Sequence, residues 1–175
     1  MSTGEAHRSL TSEPSRPLGE LAAELPSDRH RPAALPRGVL GGVLAALVGG
    51  LTWALVVTTT NYELGFVAWG IGFVAGTAVV VAAGGAKGLP LQAAAVASAL
   101  LGILIGKYVT FVHVVRGQIE EIAGSAAAAN VSYFSLETAR FFGEEIGAVF
   151  GGFDLLWAGL AIFTAWRIPQ AGDAA

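Results

Sequence analysis

The chain has 175 residues, 54% of them hydrophobic and only 13% charged, with 24 glycines, no cysteine and a formal net charge of −3. Soluble domains carry roughly a quarter charged residues, so this composition excludes an ordinary water-soluble globule and points to a core solvated by lipid. The absence of cysteine excludes disulfides, thiolate metal sites and a cysteine nucleophile.

Residues 1–37 hold five of the seven prolines together with Ser, Glu and Arg, a mixture that buries too little apolar surface to offset chain entropy. This tail is expected to be disordered and cytoplasmic. It is not read as a cleavable signal, because the apolar run begins only at Gly38 and no small-residue cleavage site follows. Within it, Pro17 can open a short helix carrying Leu18, Leu21, Ala22 and Leu25 on one side. That helix is either transient or a docking motif.

Three uncharged runs follow: Gly38 to Tyr62 with 25 residues, Leu64 to Ala86 with 23, and Gly88 to Gly106 with 19. A fourth, Ile146 to Trp166, has 21 residues and a single charge at Asp154. A hydrocarbon core needs roughly 20 helical residues, so each run is long enough to span. Without period-2 alternation, strands are a poor alternative. The expected fold is therefore all-α, a polytopic membrane protein with a four-helix bundle over 38–167. The helices are expected at about 38–60, 64–84, 89–112 and 146–166, followed by a short tail over 168–175.

The link from Gly84 to Leu89 is short enough to make the second and third helices antiparallel neighbours, and Pro90 suits the first turn of the third. Residues 113–145 form an external connection. There Leu136, Ala139, Phe142 and Ile146 fall on one stripe, predicting an amphipathic helix within 133–146 that lies at the interface or folds onto the bundle. Gly124 to Ala129 fits either an extension of the third helix or a loop.

Orientation follows from the basic residues. With four spans, Arg8, Arg16, Arg29, Arg31, Arg37, Lys87 and Arg167 share one side, seven of the ten in the chain. Arg116 and Arg140 face five glutamates on the other side. The positive-inside rule then puts both termini in the cytoplasm of a bacterial inner membrane.

Charges inside a span are costly unless paired or wetted, so Lys107 and Asp154 are the candidate functional residues. Their depths overlap, which makes a bridge between the third and fourth helices plausible beside snorkelling, a solvated cavity or a translocation role. Glu63 and Gln92 are candidate lining for a polar path. Glycines recur at the G-x-x-x-G spacing as Gly38 and Gly42, Gly72 and Gly76, Gly102 and Gly106, and Gly147 and Gly151. Tight packing is their first meaning and homo-oligomerisation the second.

His113 with Glu120 and Glu121 offers too few converging ligands for a metal, and Glu144-Glu145 reads as a solvated face. No cofactor, nucleic-acid surface or phosphate loop is expected. Among the tryptophans, Trp166 beside Arg167 looks like an interface anchor, whereas Trp53, Trp69 and Trp157 are expected inside the bundle.

The stretch Leu47 to Tyr108 resembles a group of small bacterial membrane proteins with no assigned activity. The likeness rests on Gly49-Gly50, Trp53, Asn61-Tyr62-Glu63-Leu64-Gly65, Ala68-Trp69-Gly70-Ile71-Gly72, Gly76, Leu91-Gln92 and Gly106-Lys107-Tyr108. It implies that Trp53, Glu63, Gln92 and Lys107 belong to a recurring three-helix unit. Some members of the group carry N-terminal zinc ribbons; this tail has no cysteine, so no metal module carries over. Two function classes remain from sequence. One is a non-enzymatic structural or accessory subunit contacting other membrane components, and the other a small oligomeric transporter or channel using Lys107 and Asp154.

Overall fold

The computed structural model describes residues 33–60 and 65–170. The N-terminal tail, where a short helix is expected from Pro17, as well as Glu63 and the last residues after 170, lie outside the described residues. Within them the chain is all-helical: α1 (Ala34–Thr60), α2 (Phe66–Ala82), α3 (Leu89–Ala123), α4 (Ser125–Ala128), α5 (Leu136–Glu144), α6 (Ile146–Val149) and α7 (Gly152–Arg167). By length and composition α1 and α3 are apolar enough to cross a membrane.

The long helices pack side by side through small residues. Ala46, Ala75, Ala95, Ala99, Ala161 and Ala165 are fully buried. Gly102 lies so near α1 and α2 that a Cβ on it would stand 2.8 Å from Ile71 Cγ2 and 3.2 Å from the Ala46 carbonyl. On Gly72 a Cβ would stand 2.6 Å from Ala161 Cα of α7, inside the limit for real contacts. Backbones this close gain dispersion contacts along their length, and only glycine permits the approach.

Alternation of direction is fixed by contacts at one end. A Cβ on Gly38, near the start of α1, would meet Val79 of α2 and Leu91 of α3. There the α2–α3 turn runs through Gly84 and Gly85, whose φ values of 69° and 81° suit glycine. The Gly88 amide in that turn donates to the Pro169 carbonyl at 2.9 Å, bringing the end of α7 alongside. The opposite end holds Trp53 of α1, Gly106 and Lys107 of α3, and the start of α7.

Three local expectations are corrected. The third helix does not end near Val112 but continues to Ala123, stopping at Gly124 with φ 84°. The charges from His113 onward do not interrupt the helical backbone, and α4 then adds one further turn. The fourth run is not one helix from Ile146 to Trp166, because Phe150 and Gly151 are extended, with ψ 109° and 169°. Three glycines at 147, 151 and 152 weaken that turn, while Asp154 stabilises a fresh start for α7.

The amphipathic helix is shorter than expected, and its inward face differs. Ser135 caps α5 by accepting from the Thr138 amide at 3.0 Å. Thr138 and Phe142 are the residues turned in, whereas Leu136, Ala139 and Ile146 are exposed. Phe142 wedges between Tyr108 and Phe111 of α3, with ring centroids 5.3 and 5.4 Å away. Phe141 also meets Phe111, with ring centroids 5.5 Å apart, so the helix is folded onto α3 by two adjacent aromatic side chains instead of a long stripe.

Candidate functional site

Lys107 projects from α3 and is 2% exposed. Its Nζ lies 3.0 Å from Asp154 Oδ1 and donates to the Val149 carbonyl at 3.3 Å. It also stands 5.9 Å from the centre of the Trp53 ring and 5.6 Å from that of Phe150. An ammonium therefore meets a carboxylate, a carbonyl and two π faces, which together replace much of its lost hydration.

The break in the fourth segment supplies those partners. Every helix end leaves backbone groups without intrahelical partners. At the close of α6 the Val149 carbonyl is such a group, and Lys107 takes it up. At the opening of α7 the Gly151 amide is another, and it donates to Asp154 Oδ2 at 2.8 Å. Asp154 sits in the first turn of α7, where a negative charge also favours the helix dipole. Each charge thus serves the other and one side of the interruption.

Beside the pair lies a cavity of about 310 Å³, lined by Trp53, Gly65, Ala148, Val149, Gly151, Phe153, Asp154 and Trp157. Trp157 leans on Gly65, where any side chain would overlap the indole, and meets Phe153 edge-on at 6.0 Å. The indole nitrogens of Trp53 and Trp157 are buried, and neither has a hydrogen-bond partner among the described residues. Thr110 Oγ1, one turn beyond Lys107, shares that condition.

The other sequence candidates go elsewhere. Gln92 is buried, but it donates to the Trp166 carbonyl at 3.1 Å, at the opposite end from Lys107. With fifteen positions between them on one helix, the two are about 22 Å apart along the axis. Glu63 lies outside the described residues. Of the glycine pairs, Gly38 and Gly42, Gly72 and Gly76, and Gly102 and Gly106 meet neighbouring helices closely. Among the described residues a Cβ on Gly147 would meet nothing within 4 Å and one on Gly151 only Asp154 Oδ2 at 3.8 Å, so there the last pair packs against no helix.

Trp69 is 47% exposed and donates to Thr164 Oγ1 at 2.9 Å, so it braces α2 against α7 from the outside. His113, Glu120 and Glu121 are exposed on the far end of α3. Gly65, Val149, Phe153 and Trp157 are not marked as site residues by the sequence. Val149 and Phe153 carry no signal there beyond the neighbourhood of Asp154, whereas Gly65 enters through the resemblance and Trp157 as a tryptophan expected inside the bundle.

Comparisons with protein-family models, curated proteins and solved structures find no match for this chain.

Proposed function

We propose that this chain is a multi-pass membrane protein with four spans, acting as a structural or accessory subunit in contact with other membrane components. The observation that carries the membrane reading is its reversed polarity. Leu40, Leu44, Val48, Leu51 and Leu55 form an outward stripe on α1, each at least 55% exposed, while Lys107, Gln92, Ser98 and Thr110 are buried. Such a stripe is unfavourable in water but fits a lipid surround.

Only 33% of the apolar window of α1 and 44% of that of α3 are buried, far less than expected of core helices in a soluble protein. α2, with 17 residues, and α7, with 16, are shorter. They complete the span count if α6 and the break continue the fourth crossing. The sequence resemblance to small bacterial membrane proteins favours the same reading, and the basic residues favour cytoplasmic termini.

The accessory role draws on the projecting end of α3. Its 35 residues measure about 52 Å, against a hydrocarbon core of about 30 Å. That end and the following connection expose Ile122 at 87%, Phe134 at 98% and Leu136 at 67%, apolar surface suited to contact with a partner or the lipid interface.

The chain has no cysteine, so single substitutions report topology cleanly. Lys87→Cys is expected to react with an impermeant maleimide only from the cytoplasmic side, and Ser132→Cys only from the other. Labelling of both from one side overturns the four-span reading. Purification in mild detergent tests the role itself, since a clean monomer without co-purifying proteins counts against an accessory subunit.

The cavity beside Lys107 and Asp154 favours a second reading, a small oligomeric transporter or channel. Gln92, at the other end of the helices, weighs against a continuous polar path. Solute flux through reconstituted wild type that is lost in Lys107→Met would favour this second reading.

A further inference from the structure

We propose that the cavity at the α6–α7 break binds a small zwitterionic amine, a compound joining an ammonium group to an acceptor oxygen, free or as the headgroup of a lipid. Trp53, Phe153 and Trp157 supply aromatic walls and Asp154 the carboxylate. This combination suits organic cations, because the ring faces and the carboxylate act together on a partly desolvated charge.

The protein already uses the same chemistry once. On the inner side the Lys107 ammonium rests against Asp154 Oδ1 and over the Trp53 ring. A carboxylate offers about four acceptor sites. The described contacts use one on Oδ1, to Lys107, and one on Oδ2, to the Gly151 amide. Acceptor capacity therefore remains for a ligand ammonium from the cavity.

A zwitterion brings an acceptor oxygen as well as an ammonium, which a simple cation lacks. The indole N–H groups of Trp53 and Trp157 are donors in want of an acceptor, and Trp53 is 2% exposed. Buried donors are rarely left unsatisfied, and the oxygen of a zwitterion offers them a partner. The volume of about 310 Å³ is at the lower end for ligand clefts and fits a headgroup-sized molecule.

A lipid source rests on the four-span reading. Lys107 lies about 27 Å along α3 from Leu89, near the far edge of a hydrocarbon core entered at that residue. The site itself does not depend on that reading, because free ligand can be titrated in detergent.

The test is calorimetric titration of the full chain in detergent with phosphoethanolamine, and with ethyl phosphate as the analogue lacking the ammonium. Saturable binding is expected for the first and at least about tenfold weaker binding for the second. Asp154→Asn is expected to weaken binding by a similar factor. Because that change also breaks the ion pair, Trp157→Phe and Phe153→Leu, which leave the pair intact, are measured beside it; each is expected to weaken binding several-fold with an unchanged melting temperature.

Native mass spectrometry from nanodiscs containing phosphatidylethanolamine or phosphatidylglycerol separates the sources. Selective retention of phosphatidylethanolamine that is lost in Trp157→Phe supports the lipid, and binding of the free compound alone supports the soluble ligand. Absence of both, or binding unchanged in Trp157→Phe and Phe153→Leu, overturns the proposal. Failure of the cysteine topology test would remove only the lipid source.

Discussion

The Lys107 ammonium and the Asp154 carboxylate meet at 3.0 Å across a point where one helix stops and the next begins. Because Lys107 also holds the Val149 carbonyl and Asp154 the Gly151 amide, the pair closes the interruption as well as joining α3 to α7.

Removing one partner leaves the other charge uncompensated, and for a buried pair this costs roughly 3–5 kcal/mol. Lys107→Met and Asp154→Asn are each expected to lower the melting temperature in mild detergent. The double variant K107M/D154N should be more stable than Lys107→Met alone, because the amide oxygen still accepts from Gly151 and the Asp154 charge is no longer stranded. The charge swap K107D/D154K should rescue neither single variant, since a carboxylate on α3 cannot donate to Val149, nor an ammonium on α7 accept from Gly151. Recovery by the swap would show that the backbone contacts are unimportant.

The glycines divide by what surrounds them. Gly72→Val would drive a side chain into the Ala161 backbone, where relief requires α2 and α7 to separate. The expected loss is about 3 kcal/mol or more, read as thermal unfolding or as aggregation on size exclusion. Gly159, inside α7, where a Cβ would meet nothing within 4 Å among the described residues, is the control. Gly159→Ala should stabilise by about 0.5–1 kcal/mol through helix propensity. A loss of stability or of an oligomer at Gly159 would instead expose a partner seated on that face.

Much of this arrangement was legible in the sequence, and the remainder failed for identifiable reasons. Lys107 and Asp154 stood out because they interrupt uncharged runs at overlapping depth. The helix break between them did not, since other glycine pairs such as Gly41-Gly42 and Gly49-Gly50 remain inside α1 without interruption. What distinguishes Gly151 is an acidic residue three positions later that captures its amide, a competition that composition alone does not decide.

Gln92 was read as lining a polar path because it is polar in an apolar run. Its partner, the Trp166 carbonyl in the last turn of α7, becomes apparent only once the end of that helix is known to lie beside the start of α3. The packing of Trp157 over Gly65 is likewise a contact between distant segments, which no helical period encodes.

At the outer end of α3, Phe142 gives the last test. It is 7% exposed and stacks edge-on with Tyr108 and Phe111, while its neighbour Phe141 is 44% exposed. Two hydrogen bonds hold the preceding loop to the same helix: Tyr108 Oη donates to the Tyr133 carbonyl at 2.8 Å, and Arg116 to that of Val131 at 3.1 Å. Phe142→Ala removes the buried one of the two aromatic side chains by which α5 meets α3 and is expected to cost about 3 kcal/mol locally. Ser135→Ala removes the cap and should cost about 1 kcal/mol.

Hydrogen exchange over 130–145 should accelerate markedly in Phe142→Ala and modestly in Ser135→Ala, with α1 and α2 unaffected, because among the described elements α5 meets only α3 and α6 closely. Phe141→Ala, which removes only the half-exposed contact with Phe111, should accelerate exchange less than Phe142→Ala. Equal acceleration in the two variants would mean that the half-exposed ring holds α5 as firmly as the buried one.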